Sequence, residues 1–432
     1  MSVELVTLIL FGGLFLLLAL RVRVFIAIGV ISIIVTFLIS GTDGLFMVAS
    51  TTYNKITDTA LIAIPMFLLM GNFLIHSGIA DRLFTALSYW LSGLKGSLAI
   101  VSVVVCVALD MCTGFGPGLL TMGLIAVPAM LKRGYDKYLA LGTVMAGGAG
   151  DILPPSIIMI IFAYISRLSI GKIFFAGAIP GFTLAGAYIL YVAIRCRLQP
   201  QLAPRIAEAI TWKMRGASLR EVIVPTLIIL AVLGSIFTGM ATPSEAAGVG
   251  AAGALLSCFI YRKFTWKVLT TSCLETIKIS GMALWILVAA TLFGQVYTSA
   301  GAQGMVMGIV EGLQVNRWFI LIAMQIILLI FGSFMDDYAI VTICSPIFMP
   351  LAISLGFDPI WFSIVFLLNM QVAYLTPPFG WSLFLMKGVA PPGISTQDIW
   401  RSVPPFIALQ LIVLALVMLF PQLATWLPGK MM

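Results

Sequence analysis

Long apolar runs separated by short polar joints recur along the whole of the 432-residue chain. A helix needs about 20 predominantly apolar residues to cross the hydrocarbon core of a bilayer. Residues 222–237 are almost wholly apolar and lack the alternating polarity of a transmembrane β-strand. Only 9% of the residues are charged, whereas about a quarter are charged in soluble domains. The sequence therefore predicts an all-α polytopic membrane protein and excludes a water-soluble enzyme.

The basic residues predict the orientation of the chain in the membrane. The net charge is +8, but the basic residues lie in joints between spans, which argues against nucleic-acid binding. Six of them fall within residues 195–220 and three within residues 262–267. Because cytoplasmic loops are enriched in Lys and Arg, we expect both joints in the cytoplasm. The N-terminus, which precedes Arg21 and Arg23, is then expected in the periplasm.

An internal repeat is indicated by landmarks that recur at a shift of 222 or 223 positions. The matched pairs are Gly71-Asn72 with Gly294-Gln295, Val127-Pro128 with Met349-Pro350, and Pro154-Pro155 with Pro377-Pro378. The predicted units are scaffold spans at 1–49, a first repeat at 50–196, a basic joint with scaffold spans at 197–266, a second repeat at 267–420 and a tail at 421–432. Duplicated halves are common in secondary transporters, whose binding sites lie where broken helices meet near the midplane. The sequence leaves open whether the copies are inverted.

Each half contains two stretches where Gly and Pro interrupt an apolar run. They are residues 110–118 and 147–156 in the first half, and 332–337 and 374–380 in the second. Proline removes an amide donor and glycine lowers the cost of non-helical backbone. Unwound backbone inside a membrane is tolerated only where it is buried in protein or lines a cavity. Freed carbonyls can coordinate Na⁺, and the N-terminal ends of half-helices favour an anion. A simple kink at each Pro-Pro is the alternative, and repetition in register favours a binding site.

Four carboxylates lie at these breaks, namely Asp110, Asp151, Asp336 and Asp337. Carboxylates inside a membrane are costly and point to function. Each could ligate a cation or cap a broken helix, and the sequence leaves both roles open. Four hydroxyl residues could add ligands or bond to their own helix backbone instead: Thr113, Ser156, Ser333 and Thr376.

Enzymatic and structural-metal functions find no support in the sequence. His76 is the single histidine, so neither a histidine metal cluster nor a Ser-His-Asp arrangement can form. The six cysteines include no CxxC pair and are typical of small residues in membrane helices. No GxxxxGK[ST] loop for ATP is present. Glu245, in the turn Thr242-Pro243-Ser244-Glu245 between the two basic joints, is expected to cap a helix on the outer side.

Seven short stretches spread over almost the whole chain resemble those of one transporter family. They are residues 62–72, Ser77-Gly78-Ile79-Ala80, Pro128-Ala129-Met130, Gly134-Tyr135-Asp136, Ile152-Leu153-Pro154-Pro155-Ser156, Phe334-Met335-Asp336 and Leu375-Thr376-Pro377-Pro378-Phe379-Gly380. Together they resemble the large membrane (M) subunit, DctM-like, of the tripartite ATP-independent periplasmic (TRAP) transporters. The sequence departs from the commoner family pattern at the first break, where residues 112–117 replace a Ser/Gly/Ala-rich stretch.

The resemblance implies a sodium-coupled elevator, in which a transport domain of re-entrant hairpins and broken helices slides against a scaffold in the bacterial inner membrane. It implies two partners, a small four-helix membrane subunit and a periplasmic substrate-binding protein. The implied substrate is an organic acid anion, a carboxylate or a sulfonate. By motif, Na⁺ as the coupling ion would be bound by Thr113, Gly114, Gly150, Asp151, Asp336 and Thr376. We expect the substrate to be bound by Gly116, Pro154, Ser156, Asp337 and Pro377.

Two other functions stay open at the level of sequence. The same broken helices line a pore in ion channels. A stand-alone anion/cation symporter would need no binding protein. Accumulation of an organic solute driven by an ion gradient would favour a transporter, and uptake by this subunit alone would favour the stand-alone symporter.

Overall fold

The computed structural model describes residues 2–113, 116–204, 211–312, 315–378 and 380–431, with the backbone alone at 112, 113, 149, 309 and 311. Every regular element within these ranges is a helix. Nine helical segments among the described residues are long and apolar enough to cross a membrane. The predicted fold class, an all-α polytopic membrane protein, is confirmed.

The described residues before position 261 contain eleven α-helices. They are α1 Val3–Ala19, α2 Val24–Ile56, α3 Ala63–His76, α4 Ile79–Leu91, α5 Ser97–Thr113, α6 Pro117–Lys132, α7 Lys137–Gly147, α8 Ile157–Ile165, α9 Ile170–Leu198, α10 Trp212–Phe237 and α11 Pro243–Ile260. Short 3₁₀ turns lie at Thr59–Ile62, Gly148–Ile152 and Pro200–Leu202.

The remainder of the chain contains the helices α12 Trp266–Ser299, α13 Ala302–Gly312, α14 Arg317–Gly332, α15 Asp337–Ser354, α16 Pro359–Leu375, α17 Trp381–Val389, α18 Thr396–Ser402, α19 Pro404–Leu419 and α20 Gln422–Thr425, followed by a 3₁₀ turn at Pro428–Lys430. Among them, α12 to α17 repeat the order of α3 to α8. At the shift found in the sequence, α5, α6, α7 and α8 fall on α14, α15, α16 and α17. Both Pro-Pro bonds, at Pro154-Pro155 and Pro377-Pro378, are cis.

Helices α5 and α6 form a hairpin whose tip contains the first break. Near the tip, the α-carbon of Gly118 approaches Asp110 so closely that a built Cβ would lie 2.2 Å from Oδ1. Farther from the tip, the Ser102 hydroxyl lies 3.9 Å from the sulfur of Met130. Asp110 lies against Gly118, and the earlier Ser102 lies against the later Met130. The two arms are therefore antiparallel.

Helices α14 and α15 form the second hairpin, with its tip at Ser333–Asp336. A Cβ on Gly332 would lie 3.6 Å from Cδ1 of Ile340, and at the open end Arg317 Nη1 donates to the Leu355 carbonyl at 3.4 Å. The other two breaks, at the Pro-Pro pairs, interrupt a helix that continues beyond them, α7 into α8 and α16 into α17. Each half therefore contains one hairpin and one broken helix.

The two hairpins enter the bundle from opposite ends of α9. At the end of α9, Leu202 accepts a hydrogen bond from the amide of Asp136 at the open end of the first hairpin, at 2.8 Å. Before the start of α9, Arg167 shares a cavity with Ser354 at the open end of the second hairpin. The repeat is therefore inverted. We call the face that holds residues 199–204 the basic face and the other the opposite face.

The positions of Val3 and of the turn between α10 and α11 agree with this division. Val3 lies against Gly301, which follows Ser299 on the opposite face. The turn between α10 and α11 lies at the same face, because Ala241 and Pro243 share a cavity with Arg167. In that turn, Thr242 and Glu245 form a reciprocal capping box, so the predicted capping role of Glu245 is confirmed.

Helices α2, α3, α11 and α12 pack tightly around polar contacts. Small residues face α3 along α11, and a Cβ on Gly250 would lie 2.6 Å from the sulfur of Met70; small residues at such seams let membrane helices approach closely. The amide of Asn72 donates to the Thr276 hydroxyl at 3.0 Å. Helix α2 continues through residues 49 and 50 to Ile56, with non-helical backbone at Gly41. The division of the chain into the predicted units stays a prediction.

We predict that the open ends of the two hairpins label from opposite sides of the membrane. Lys132→Cys and Val315→Cys each place a thiol at an exposed position at one of these ends. In oriented membrane vesicles, an impermeant maleimide should reach one variant in right-side-out vesicles and the other in inside-out vesicles. The unsubstituted chain measures the background labelling of the native cysteines, of which Cys273 is half-buried and Cys106, Cys196, Cys258 and Cys344 are buried. Labelling of both variants from one side would contradict the inversion.

Candidate functional site

The breaks of the two halves meet in the interior of the bundle. Gly116, just after the tip of the first hairpin, lies under Leu385 and Trp381 of the second broken helix. Gly148, at the first broken helix, faces both Asp110 and Ser382. In the second half, Gly332 packs on Ala373, three residues before Thr376. A hairpin tip therefore rests on a broken helix in each half, and the two halves touch at these points.

Close backbone packing brings the tip of the first hairpin onto the first broken helix. A Cβ on Gly150 would lie 2.6 Å from the carbonyl of Val107 and 3.0 Å from Cβ of Asp110. Asp110 is fully buried, its Oδ2 lies 3.8 Å from the Cys106 thiol, and its Oδ1 has no hydrogen-bond partner. The amides of Gly118 and Leu119 face the same carboxylate. The end of α5 and the Gly150-Asp151 turn thus form one buried acidic pocket.

Asp151 lies within electrostatic range of another buried carboxylate in each half. Asp151 interacts with Asp110 on one side and with Asp337 on the other. All three are buried. Since like charges in a low-dielectric interior repel strongly, the cluster is arranged to hold positive charge or protons among its carboxylates.

Asp337 is the buried acid with the most carboxylate oxygens that lack a hydrogen bond of standard geometry. It is 1% exposed, neither carboxylate oxygen has a hydrogen bond of standard geometry, and the Tyr374 hydroxyl lies beside the carboxylate. Buried polar atoms are normally hydrogen-bonded. Unpaired carboxylate oxygens at a helix break are suited to a hard cation, which prefers oxygen ligands.

Asp336 caps a helix and Thr376 bonds to its own helix backbone. These are the alternatives to ion binding that the sequence left open. Oδ1 of Asp336 accepts a hydrogen bond from the Ala339 amide at 2.8 Å and caps α15. The Thr376 hydroxyl donates to the Val372 carbonyl of its own helix at 2.8 Å. Neither bond uses all the oxygen lone pairs of its group, so each side chain keeps acceptor capacity.

The half-helices after the Pro-Pro pairs start in the interior. Ser156 begins α8 with no side-chain cap, and its hydroxyl is fully buried and unpaired. Gly380 begins α17, also uncapped. The first amides of a helix carry partial positive charge, so both starts present donors suited to an anion.

The remaining predicted site residues differ in accessibility. Thr113 is described by its backbone alone, and Gly114 lies outside the described residues. Gly116 and Pro154 are buried, whereas Pro377 is half-buried. Gly116 needs its left-handed backbone, with φ +86°, and is covered by Leu385. Binding of Na⁺ or substrate by the predicted residues stays a prediction.

The predicted Na⁺ and substrate ligands do not include Asp110 and Tyr374 of this site, nor Thr342 of the adjoining α15. Asp110 lies in the first break and could have been included on that ground. Tyr374 opens the last break, where only Thr376 is predicted as a hydroxyl ligand. Thr342 lies inside α15, away from any Gly or Pro, and no feature of the sequence marks it.

Two cavities flank the cluster at the seam between α12 and the hairpin of α14 and α15. One, of about 310 Å³, lies between the start of α2, the middle of α12 and the second hairpin tip. The other, of about 860 Å³, opens at the opposite face and contains Lys55 and Arg167. At its edge, the Tyr164 hydroxyl donates to Asp58 at 2.6 Å, and this hydrogen bond lowers the pKa of Asp58.

The chain matches a known family over almost its full length. The family model described as "Tripartite ATP-independent periplasmic transporter, DctM component" matches residues 11–423. The chain is 32% identical over 399 residues to the C4-dicarboxylate TRAP transporter large permease protein DctM of Pseudomonas aeruginosa, with 91% of this chain and 92% of that protein covered. It is 30% identical over 431 residues to the isethionate TRAP transporter permease protein DctMQ of Oleidesulfovibrio alaskensis, covering 98% of this chain and 66% of that protein.

Solved transporter structures share the fold. The MtrF structure of Neisseria gonorrhoeae superposes with a TM-score of 0.65 at 12% identity, covering 97% of both chains. The YdaH transporter of Alcanivorax borkumensis gives a TM-score of 0.64 at 13% identity, covering 93% of this chain and 97% of that one. At these identities the likeness concerns the fold alone.

We predict that Gly118→Ala destabilises the protein by about 1–3 kcal/mol, the usual cost of overpacking a tight interior. The added methyl would meet Asp110. The matched control is Gly186→Ala in α9, where a Cβ meets nothing within 4 Å, and the higher helix propensity of alanine should keep or raise stability. Thermal unfolding of both purified variants measures the difference. Equal unfolding temperatures would contradict the close packing of the hairpin tip.

Proposed function

Since the chain belongs to the DctM component family of the tripartite ATP-independent periplasmic transporters, we propose that it is the large permease subunit of a sodium-coupled importer of an organic acid anion. One observation carries the proposal: the helix breaks of two inverted halves converge on buried carboxylates and uncapped helix starts. A carboxylate cluster and helix N-termini have opposite preferences for charge. Their juxtaposition supports binding of a cation and an anion together.

The acidic cluster supports Na⁺ as the coupling ion. Its groups are oxygens, namely the carboxylates of Asp110, Asp151 and Asp337 and the free carbonyls at the breaks. Hard cations prefer oxygen ligands, so a hard monovalent cation fits this chemistry better than a transition metal. We assign one ion to the first hairpin tip with Gly150-Asp151 and another to Asp336 with Thr376.

The uncapped starts of α8 and α17 support an anionic substrate. Both lie next to the cluster, and a bound cation there would add to their positive potential. The named substrates of the relatives are C4-dicarboxylate and isethionate. We propose a carboxylate or sulfonate for this chain, bound among Gly116, Pro154, Ser156, Asp337 and Pro377.

Family membership supports two partners. We propose a periplasmic binding protein that delivers the substrate and a small four-helix membrane subunit that completes the scaffold. The match to the DctMQ protein leaves about a third of that chain uncovered, which is room for a second component. We place the complex in the bacterial inner membrane with the basic face in the cytoplasm and the N-terminus in the periplasm, in line with the positive-inside rule.

An elevator movement would account for the arrangement of the halves. Hairpins that enter from opposite faces can close the same site toward either side, and alternating access in inverted repeats is largely rigid-body movement of one bundle against another. Helices α2, α3, α11 and α12 would be the fixed part. Large unitary currents would favour a channel instead, and uptake without the binding protein would favour a stand-alone symporter.

The test is uptake by reconstituted vesicles that contain the permease, the small subunit and the binding protein. An inward Na⁺ gradient should drive accumulation, and an equal K⁺ gradient should not. In detergent, NaCl should raise the unfolding temperature saturably above matched KCl, because a ligand at 100 times its Kd stabilises the native state by about 2.7 kcal/mol. Equal responses to both salts would contradict sodium coupling.

We predict that Asp336→Asn raises the Na⁺ concentration for half-maximal uptake by about tenfold, the factor equivalent to 1.4 kcal/mol. Asparagine caps helices as well as aspartate, so the start of α15 is kept while the charge is lost. Thr376→Ala should shift the Na⁺ dependence in the same direction.

The matched control is Asp358→Asn. Asp358 caps α16 through the Trp361 amide at 2.8 Å, the same geometry as at Asp336, but it lies exposed at the opposite face. It should leave the Na⁺ response unchanged. If the two asparagine variants respond alike to Na⁺, the ion site is not at Asp336.

A further inference from the structure

The cavity of about 310 Å³ beside the second hairpin tip is lined in part by a basic side chain. One wall consists of residues 22–25 and Ile28 around the start of α2, together with Met282 and Ile286 of α12, and the facing wall includes Asp336, Thr342 and Trp381. Arg23 is the single Lys or Arg among the described residues of this lining. The other residues of the wall that contains Arg23 are apolar.

The Arg23 guanidinium has no partner among the described residues. The side chain is exposed and does not cap α2, and its guanidinium makes no ion pair or hydrogen bond with the described residues. Arg23 is the N-cap residue of the 33-residue helix α2. The start of this helix therefore lies at the cavity. The guanidinium and the helix start both favour negative charge.

The facing wall offers a second, independent sign of a ligand. Thr342 is fully buried, lines the cavity, and its hydroxyl has no hydrogen-bond partner. Other helical threonines bond to their own backbone, as Thr143 does to the Leu139 carbonyl at 2.9 Å. The unpaired hydroxyl of Thr342 is therefore available to donate to a molecule in the cavity.

We propose that Arg23 is a specificity-determining residue that binds the acidic group of the transported anion in this cavity, with Thr342 donating a second hydrogen bond. The inference rests on the proposed function and adds to it a residue outside the helix breaks. A guanidinium binds a carboxylate or sulfonate through two parallel N–H donors. Because Arg23 belongs to the predicted scaffold and Thr342 to the second hairpin, the anion would bridge the two parts in this conformation.

Arg21 supplies a matched control on the same loop. It is also exposed and carries the same charge two residues earlier, but it is absent from the cavity lining. A role in orientation or in contact with lipid headgroups would belong to both arginines. A role in anion binding belongs to Arg23 alone.

The experiment measures thermal unfolding of the full chain in NaCl against three four-carbon probes at matched ionic strength: butyrate, succinate and neutral butyramide. The two acids should raise the unfolding temperature of the unsubstituted chain saturably, and butyramide should not. Arg23→Gln should raise the half-saturating acid concentration about tenfold or more, as expected for loss of a charge-assisted hydrogen bond. Arg23→Lys should restore part of the response, and Arg21→Gln should behave as the unsubstituted chain.

The outcomes separate this inference from the proposed function. An unchanged acid response in Arg23→Gln, equal losses in Arg21→Gln and Arg23→Gln, or equal effects of butyramide and butyrate would overturn the role of Arg23. If NaCl still stabilises the protein above KCl in those cases, sodium coupling stands without it. If neither Na⁺ nor the acids stabilise the unsubstituted chain, the proposed function itself fails.

Discussion

The need to satisfy every backbone polar group inside the hydrocarbon governs this structure. Four breaks release amides and carbonyls in the middle of apolar runs, and no single break can cover its own groups. The fold gathers all four, so that Gly116 is covered by Leu385 and Trp381 of the other half and Gly148 faces Ser382. The contacts that shield the broken backbone also bring the buried carboxylates together, so stability and a binding site have a common origin.

The two halves share a backbone but differ in charge. At the repeat shift of 223, Asp151 corresponds to Tyr374, Asp110 to Ser333, and Thr342 to Leu119. The first half therefore contributes Asp110 and Asp151 to the buried cluster, while the second contributes Asp337 and hydroxyl groups. An inverted backbone offers similar access from each face. Unequal side chains at equivalent positions allow one part of such a site to prefer a cation and another an anion.

Local features of the sequence predicted the spans, the four breaks and the cap at Glu245, because hydropathy, Gly and Pro content and capping act over a few residues. The nature of each break could not be predicted. The hairpin of α5 and α6 depends on contacts such as Ser102 with Met130, and the inversion depends on Asp136 reaching Leu202. Such pairs are distant in sequence and carry no pattern. Arg23 was recognised as a marker of orientation, and its place beside the second hairpin tip became visible only in three dimensions.

The choice between helix cap and ion ligand, which the sequence posed for each acid, is not exclusive at Asp336. A carboxylate has about four lone-pair sites, and the cap occupies one oxygen with the Ala339 amide. The same group can therefore hold the first turn of α15 and contribute to a cation site. On the proposed function, loss of the cation would leave the negative charge of Asp336 beside the buried Asp337, and the repulsion would act on the hairpin tip itself. The tip is thus the point where ion occupancy and backbone conformation are coupled through one side chain.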